Sequence, residues 1–281
     1  MKFPDFRYRR PVTLAEALTA LDEEGEAGQM LAGGQTLMPL LALRMAAPDC
    51  LIDLNWIAEL GGVMVVEDRL RIGAMTRYVE LEASDLIALH APLIARALPF
   101  VAHVAIRNRG TIGGSTALAD PAAEIPACLL AMAAELELVS QRGTRRVPAD
   151  DFFVGLYDTA RTEDEILTAI LLPLGSRVRI GFYEIARRHG DYALAGAAAF
   201  EGVNGLRVAI FGCDDRPVLA KSAACAVMAG EDVRVAAELL SNDVKSTDNL
   251  QGDAATRLTQ AKVAFRRAIE NLREANDGAD C

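Results

Sequence analysis

The chain has 281 residues, of which 52% are hydrophobic and 24% charged, and its formal net charge is -10. A chain of this length and composition buries enough apolar surface to fold without disulfides, which excludes a disordered tail and a small cysteine-stapled module. The net negative charge repels a phosphate backbone, so we expect no nucleic-acid partner.

Residues 1–56 predict a compact βαβ unit. A helix begins at Thr13, which has capping-box spacing with Glu16, and it ends near Gly25. A strand over 29–32, a glycine turn, a helix over 37–45 and a strand over 50–54 follow in few residues. This order favours a small parallel sheet that ends near Trp56.

Residues 57–174 predict a second unit that opens with a hairpin of strands 63–66 and 70–73. Helices are expected over 78–83, 87–101 and 122–132, with a second glycine turn at 110–115. Strands are expected over 135–140 and 166–172, the second stopped by Pro173. Because Pro, Gly and Ser punctuate the stretch from Pro173 to Ser176, we place a linker there.

Residues 175–281 predict a third unit with strands over 179–186, 193–200 and 206–213. Asn204-Gly205 is the hairpin signal between the last two strands. Helices follow from about Ser222, the longest over 254–275. The fold class is therefore α+β in three sequential units, the last containing a three-stranded antiparallel sheet and helices.

The five cysteines and three histidines are scattered, with no C-x-x-C pair. Zinc and iron-sulfur sites need clustered ligands, so we expect no metal on this chain. Isolated thiols are typical of a reducing compartment. No stretch of about 18 apolar residues occurs, and no apolar run follows the charges near the amino terminus, so we expect no membrane span and a cytoplasmic location.

Two double-glycine segments, Ala32-Gly33-Gly34-Gln35-Thr36 and Thr111-Ile112-Gly113-Gly114-Ser115, are candidate phosphate sites. The chain has neither a G-x-G-x-x-G fingerprint nor a P-loop. Glycine lets successive N–H groups converge on a phosphate, and the first segment also leads into a helix N-terminus. Either segment alone is more often a simple tight turn, but together they could grip a diphosphate from two sides.

These segments, with the acidic stretch 119–124 and the stretch 184–193, occur in an order that resembles the FAD-binding medium subunit of molybdenum hydroxylases. The carbon monoxide dehydrogenase medium chain and the xanthine dehydrogenase family are the nearest patterns. The resemblance implies a two-subdomain FAD-binding fold of the vanillyl-alcohol-oxidase/PCMH type. It also implies a carboxy-terminal domain of the carbon monoxide dehydrogenase flavoprotein type.

The resemblance assigns FAD-binding roles to particular residues of this chain. Backbone groups of both glycine segments would hold the diphosphate. The residues are Ala32, Gly33, Gly34, Gln35 and Thr36, with Leu37 completing the first motif, and Thr111, Ile112, Gly113, Gly114 and Ser115 in the second. Ser115 would add a hydroxyl, Glu124 would contact the adenosine ribose, the backbone of Leu167 would lie near the flavin, and Tyr192 would lie close to the isoalloxazine ring.

Other interpretations of these residues stay open. Glu124 could simply favour a helix N-terminus, Asp120 beside Pro121 is more typical of a turn, and Tyr192 could be a strand-edge aromatic. The cluster Arg187-Arg188-His189 is more typical of a solvated face than of a docking site. Glu184 stands where NAD-using relatives have lysine, which argues against a pyridine-nucleotide acceptor.

The resemblance also implies partners. The molybdenum cofactor would lie on a large subunit and [2Fe-2S] clusters on a small one, assembled as a dimer of heterotrimers. This chain would pass electrons from those clusters through FAD to an external acceptor. A stand-alone FAD-dependent oxidoreductase of the same fold is the alternative, and a scaffold whose glycine turns bind nothing is a third. The sequence leaves open the substrate (carbon monoxide, an N-heterocycle or an aldehyde) and the acceptor.

Overall fold

A small parallel sheet opens the fold, in the strand order β1-β3-β2. The computed structural model describes residues 3–175 and 178–277, so Ser176 of the predicted linker and Cys281 lie outside the described residues. The elements of the first unit are β1 (Arg7–Arg9), α1 (Leu14–Glu24), β2 (Gly28–Leu31), α2 (Leu37–Ala42) and β3 (Cys50–Asp53), with 3₁₀ turns at Gly25–Ala27, Leu54–Trp56 and Ala58–Leu60.

The first helix confirms its sequence signals. The side chain of Thr13 accepts a hydrogen bond from the N–H of Glu16 (3.2 Å), and Gly25 ends the helix. Strand β1 was not predicted, because its three residues include two arginines and show no apolar alternation. It lies beside the fully buried β3 and extends the parallel sheet to three strands.

The second unit is built on a five-stranded antiparallel sheet in the order β4-β5-β10-β6-β7. Its strands are β4 (Val63–Val66), β5 (Arg69–Gly73), β6 (Glu135–Ser140), β7 (Gly143–Pro148) and β10 (Ile166–Pro173), with a small hairpin of β8 (Phe153–Gly155) and β9 (Asp158–Thr159). Its helices are α3 (Tyr78–Glu82), α4 (Asp85–His90), α5 (Pro92–Ala97), α6 (Val104–Arg107), α7 (Ile112–Leu118), α8 (Glu124–Ala131) and α9 (Ala149–Phe152), with a 3₁₀ turn at Leu98–Phe100.

Two predictions for this unit are corrected. The single helix expected over 87–101 is divided at Pro92, because proline has no N–H to continue the helix and restricts the residue before it. The glycine turn expected at 110–115 instead begins α7, whose N-cap is Thr111. Strand β7 was missed because all its residues but one are exposed and it has no buried periodicity.

The third unit is a four-stranded antiparallel sheet, in the order β11-β12-β13-β14, with helices. Its elements are β11 (Arg179–Ala186), β12 (Ala193–Gly202), β13 (Gly205–Phe211), β14 (Val218–Leu219), α10 (Lys221–Met228), α11 (Val233–Glu238), α12 (Leu240–Asp243) and α13 (Ala254–Asp277). The predicted three-stranded sheet lacks β14, since a strand of two residues shows no period. The hairpin at Asn204-Gly205 is confirmed, because Gly202 pairs with Gly205.

Helix α8 joins the second and third units. Every residue of α8 is buried, and the helix packs against β12 and β13. The N–H of Gly212 donates to the carbonyl of Pro121 just before the helix (2.7 Å). One hydrophobic cluster runs from Leu70 in β5 to Phe211 in β13. The residues near α8 therefore lie where two units meet, while the boundaries at 56/57 and 174/175 stay predictions.

The architecture is α+β, as predicted. None of the helices in residues 3–175 and 178–277 is both long and apolar enough to cross a bilayer. The cysteines at 50, 128 and 213 are buried and Cys225 is exposed. Groups of three or more side chains suited to hold a metal do not occur in the described part of the chain.

Candidate cofactor site

The first glycine segment connects β2 to α2. Gln35 Nε2 donates to the carbonyl oxygen of Gly33 (2.9 Å), and Gly34 has a φ of 72°. The backbone N–H groups from Gly33 to Thr36 have no hydrogen-bond acceptor within the described parts of the chain. A run of unsatisfied donors is the arrangement that binds phosphate oxygens. Since α2 has only six residues, this capacity lies in the loop amides rather than in a helix dipole.

The second glycine segment is the first turn of α7. Thr111 caps the helix, since its side-chain oxygen accepts from the N–H of Gly114 (3.1 Å) and its carbonyl accepts from the N–H of Ser115 (3.2 Å). This is the usual way in which threonine satisfies the first N–H groups of a helix.

The same segment is also bound to the loop between β5 and α3. The N–H of Ile112 donates to the carbonyl of Thr76 (3.0 Å), and the N–H of Gly113 donates to the carbonyl of Ala74 (2.8 Å). A Cβ atom on Gly113 would lie 2.4 Å from the Cβ of Ala74, so only glycine permits this approach. The amides of residues 112–115 thus have acceptors within the fold, which differs from the expectation that this backbone offers free donors.

The two glycine segments are in direct contact. A Cβ atom on Gly33 would lie 2.4 Å from the carbonyl oxygen of Arg109 and 2.8 Å from the Cα of Gly110. A Cβ atom on Gly114 would lie 3.3 Å from the Cβ of Ala32. The prediction that these segments, far apart in sequence, meet in space is therefore confirmed.

Two polar side chains link the segments. Asn55 Nδ2 donates to the carbonyl of Ala32 (2.8 Å), and Arg77 Nη1 donates to the carbonyl of Arg109 (2.7 Å). Arg77 Nη2 donates in turn to Asn55 Oδ1 (2.9 Å), which closes the connection. Sequence reasoning missed both residues. Asn55 follows the carboxyl end of β3, where polar residues approach ligands, whereas Arg77 has no comparable signal.

A buried phenol connects the second glycine segment to Glu124. Tyr78 is 4% exposed, and its hydroxyl has no hydrogen-bond partner among the described residues. Burial raises the pKa of Tyr78, Ser115 opposes this shift, and the charge of Glu124 adds to it, which places both residues beside the phenol. Tyr78 was not identified from the sequence, where it reads as an ordinary aromatic at a helix start.

Glu124 is the first residue of α8, and the residue as a whole is 7% exposed. Burial raises its pKa to about 7; its own N–H opposes the shift and the nearby charge of Asp120 adds to it. No other described residue donates a hydrogen bond to its carboxylate. The geometry fits both interpretations of Glu124, because the helix N–H uses part of the carboxylate and leaves acceptor capacity for hydroxyl groups.

Asp120 and two tyrosines lie at the exposed side of Glu124. Asp120 accepts from the N–H of Ala122 (2.9 Å), which supports the turn interpretation, and from the hydroxyl of Tyr157 (3.3 Å). Partial burial raises the pKa of Tyr157 to about 12, with contributions from Asp120 and Tyr192. Tyr192 is 66% exposed and directly precedes β12, so it is not a strand residue. The two tyrosines offer accessible aromatic surface, and Tyr157 was not predicted.

Leu167 occupies a different environment. It is buried in β10 opposite Leu138, and its side chain belongs to the hydrophobic core. The register shifts between Leu167 and Ala169, and the carbonyl of the intervening Thr168 accepts from the N–H of Ala74 (2.9 Å). Ala74 also accepts a hydrogen bond from the second glycine segment, so Ala74 connects this irregular part of β10 to that segment.

Glu184 reaches this region from the third unit. It is half-buried on β11, and its Oε2 is fully buried without a hydrogen-bond partner in the described structure. Burial, and then the charge of Glu124, raises its pKa to about 8. Two carboxyl groups from different units therefore share one low-dielectric space.

The basic cluster at 187–189 is a solvated surface. Arg188 is 84% exposed and pairs with Asp191 (3.5 Å), and the ring of His189 packs edge-on against Phe100 with 5.6 Å between centroids. All three residues are exposed, as the interpretation of a solvated face predicted, although His189 also contacts Phe100 of the second unit.

Comparisons with known proteins agree with this geometry. Residues 4–175 match the family model described as FAD binding domain in molybdopterin dehydrogenase. The chain is similar to the nicotine 6-hydroxylase medium subunit of Paenarthrobacter nicotinovorans, with 36% identity over 96% of this chain and 98% of the relative. It is also similar to the caffeine dehydrogenase subunit beta of Pseudomonas sp. strain CBB1, with 39% identity over 78% of this chain and 76% of the relative.

A solved structure resembles nearly the whole chain. This is carbon monoxide dehydrogenase from Hydrogenophaga pseudoflava which lacks the Mo-pyranopterin moiety of the molybdenum cofactor. The TM-score is 0.93 and the identity 32%, over 98% of this chain and 99% of that chain. The likeness confirms the predicted FAD-binding fold class. The chain therefore belongs to the FAD-binding domain family of molybdopterin dehydrogenases, and it is a flavoprotein subunit of a molybdenum-containing oxidoreductase.

Proposed function

We propose that this chain receives electrons from [2Fe-2S] clusters of a small partner subunit and delivers them, through its FAD, to an external acceptor. A large subunit with the molybdenum cofactor would oxidise the substrate. The names of the similar proteins, a medium subunit and a subunit beta, support a multi-subunit complex. The absence of metal-holding clusters within residues 3–175 and 178–277 is compatible with this division.

The observation that carries the proposal is the contact between the two glycine segments, with free N–H groups on the first. Four successive amides from Gly33 to Thr36 lack acceptors among the residues that the structure describes, and the Arg77–Asn55 link fixes the segment in place. A diphosphate would satisfy these donors, because charge-assisted hydrogen bonds to backbone N–H groups favour an anion. The hydroxyl of Ser115 and the open acceptor capacity of Glu124 add groups suited to a nucleotide.

The chain contributes binding and orientation, whereas FAD supplies the redox chemistry when it is bound. We assign the diphosphate to the first segment and to hydroxyl groups of the second, the ribose to Glu124, and the flavin environment to the backbone of Leu167 and the ring of Tyr192. The proposed binding residues are Ala32, Gly33, Gly34, Gln35, Thr36, Leu37, Thr111, Ile112, Gly113, Gly114, Ser115, Glu124, Leu167 and Tyr192.

Within the second segment, our proposal separates contact from support. Thr111 and Ser115 carry hydroxyl groups that could reach a ligand. Ile112 and Gly113 hold the segment against the carbonyls of Thr76 and Ala74, so we propose that they position it. Tyr192, with its exposed ring beside Tyr157, would cover one side of the flavin and limit solvent access.

We also propose a cytoplasmic complex arranged as a dimer of heterotrimers. The isolated thiols suit a reducing compartment, and the pattern of three subunit types comes from the family resemblance. The substrate pocket would lie on the large subunit, so that subunit would determine the substrate.

Native purification tests the proposal. The complex should elute far above the mass of this chain, show flavin absorbance, and contain molybdenum and iron together with two further polypeptides. The separately purified chain should bind FAD without oxidising substrate. A colourless chain would refute the FAD site, and a lone chain that turns over substrate would instead establish a free-standing oxidoreductase.

A further inference from the structure

Two carboxyl groups from different units, the buried Glu124 and the half-buried Glu184, interact without a countercharge among the described residues. Glu124 begins α8 and is 7% exposed, while Glu184 lies on β11 with Oε2 shielded from solvent. The charge of Glu124 acts directly on Glu184. Buried carboxylates are normally paired with a cation or with several donors. This pair has neither within the described residues, since Glu184 Oε2 lacks any partner.

Asp120 brings further negative charge to the pair, and the other groups near Glu124 are neutral. Asp120 acts on Glu124 from the loop before α8, and the hydroxyls of Tyr78 and Tyr192 lie on its other sides. Cys128 of α8 also lies within reach of the charge of Glu124. None of these described groups supplies an opposite charge to the pair.

Cations on the elements that pack against β11 are engaged elsewhere or unconnected to the pair. Arg179 of β11 pairs with Glu201 of β12, and Arg267 of α13 pairs with Glu270. Arg96 of α5 makes no ion pair with either carboxyl in the part of the chain that the structure describes. Two full negative charges would therefore face each other in low dielectric.

The phenol of Tyr78 gives an independent sign that a ligand completes this place. Its hydroxyl is buried and makes no well-formed hydrogen bond with a described residue, although the side chain of Ser115 is close enough to lower the pKa of the phenol, and Glu124 lies near it. An unsatisfied buried hydroxyl costs free energy unless a bound molecule supplies its partner. Since Ser115 belongs to the second glycine segment, the pair borders the proposed FAD site.

We propose that Glu184 is a cofactor-positioning residue that keeps its proton when FAD is bound, acting as a neutral hydrogen-bond donor beside the ionised Glu124. This inference rests on the proposed function. Protonation removes the repulsion from Glu124 and gives Oε2 a hydrogen to donate to an acceptor atom of FAD or of Glu124. Glu124 then stays free to accept from the ribose hydroxyls.

The sign of the pH effect follows from the charges. The pKa values of Glu124 and Glu184, about 7 and about 8, are already raised without ligand. The diphosphate adds negative charge and raises the pKa of Glu184 further. Below about pH 7 Glu124 is protonated in the free chain, so binding that needs its ionised form releases a proton and weakens as the pH falls. From there to about pH 8 the FAD affinity is nearly constant. Above it, binding takes up one proton, so the dissociation constant rises by up to about tenfold per pH unit.

The test is an FAD titration of the full chain after removal of its flavin, followed by flavin fluorescence from about pH 6 to about pH 9.5. Glu184→Gln keeps a neutral polar group, so it should match the wild type at low pH and lose the alkaline rise. Glu201→Gln, a charge removal in the neighbouring strand, should keep the rise. Calorimetry in buffers of different ionisation enthalpy should show uptake of up to one proton by the wild type above about pH 8 and none by Glu184→Gln.

Each outcome decides a separate claim. FAD binding with no alkaline rise in the wild type, or an equal rise in Glu184→Gln, overturns the role of Glu184 and leaves the proposed function intact. A wild-type chain that binds no FAD at any pH refutes the proposed function itself. Thermal melting of each flavin-free variant identifies any variant that fails to fold. If Glu184→Gln does not fold, Glu184→Asp replaces it. Because aspartate retains a titratable group, the alkaline rise in the dissociation constant should persist in Glu184→Asp but shift in pH, whereas it would not shift if residue 184 were unconnected to FAD binding.

Discussion

Replacing Gly33 by alanine tests whether contact between the glycine segments creates the FAD site. The added Cβ would lie 2.4 Å from the carbonyl oxygen of Arg109 and 2.8 Å from the Cα of Gly110. Both obstacles are backbone atoms, which cannot rotate away as a side chain can. The two segments must therefore separate.

The magnitude follows from this geometry. Ordinary contact begins near 3.4 Å, so the segments must open by about 1 Å. Overpacking of this kind costs about 1–3 kcal/mol of folding stability. A shift of that size also misaligns the N–H groups from Gly33 to Thr36. Losing one hydrogen bond to a charged phosphate costs about 1.5–3 kcal/mol, which weakens FAD binding by roughly 10- to 150-fold.

Equilibrium titration with FAD and thermal melting of the flavin-free chain measure the two effects separately. The matched control is Gly61→Ala, where φ is -104° and the nearest atom would lie 3.6 Å from the new Cβ, so little change is expected. Wild-type FAD affinity in Gly33→Ala, with the variant folded, would refute the idea that close approach of the two segments forms the site.

Two further changes probe the surroundings of the site, and a third probes an ion pair of the second unit. Arg77→Ala removes two hydrogen bonds that join the segments, each contributing about 1 kcal/mol. The FAD affinity should therefore fall about tenfold or more in the same titration. An unchanged affinity would contradict the linking role of Arg77. Tyr192→Ala should make bound flavin more accessible to iodide quenching while Tyr192→Phe leaves it unchanged; equal quenching in all three would place the flavin elsewhere. Hydrogen bonds from Arg145 hold the pKa of Glu165 at about 2 against the opposing effect of burial, so their stabilisation is present above about pH 4.5 and is lost as pH falls towards 2. At neutral pH the Tm of Glu165→Gln should be several degrees below that of the wild type. As the pH falls towards 2, the Tm of Glu165→Gln should decrease less than that of the wild type, which thermal melting at a series of pH values measures.

Sequence patterns predicted the parts of the fold that local chemistry determines. Thr13 and Gly25 delimit α1, and Asn204-Gly205 forms its hairpin, because capping and tight turns depend on a few adjacent residues. The glycine segments were found for the same reason, since close backbone approach requires glycine wherever it occurs. Their meeting in space was inferred from the family pattern and from the needs of a diphosphate.

Features that depend on distant partners were not predicted. Strand β1 exists because β3 offers an open edge, and β14 because β13 does, while neither has a pattern of its own. The amides of Ile112 and Gly113 seemed free by sequence, because nothing local shows that Ala74 and Thr76 lie against them. Arg77 likewise gains its role only when its two partners, Asn55 and Arg109, are brought together from separate stretches of the chain.

The arrangement of these stretches determines which segment can respond to a ligand. The N–H groups of residues 112–115 in the second glycine segment all have acceptors inside the protein, so this backbone forms a fixed wall whether or not a nucleotide is present. The first segment rests against that wall through Gly33 and is linked to it through Asn55 and Arg77, yet its N–H groups from Gly33 to Thr36 have no acceptor in the described structure. Binding therefore requires little reorganisation, because the donors are already placed by contacts that do not involve the ligand. Affinity for a diphosphate should depend on residues that never touch it as strongly as on those that do.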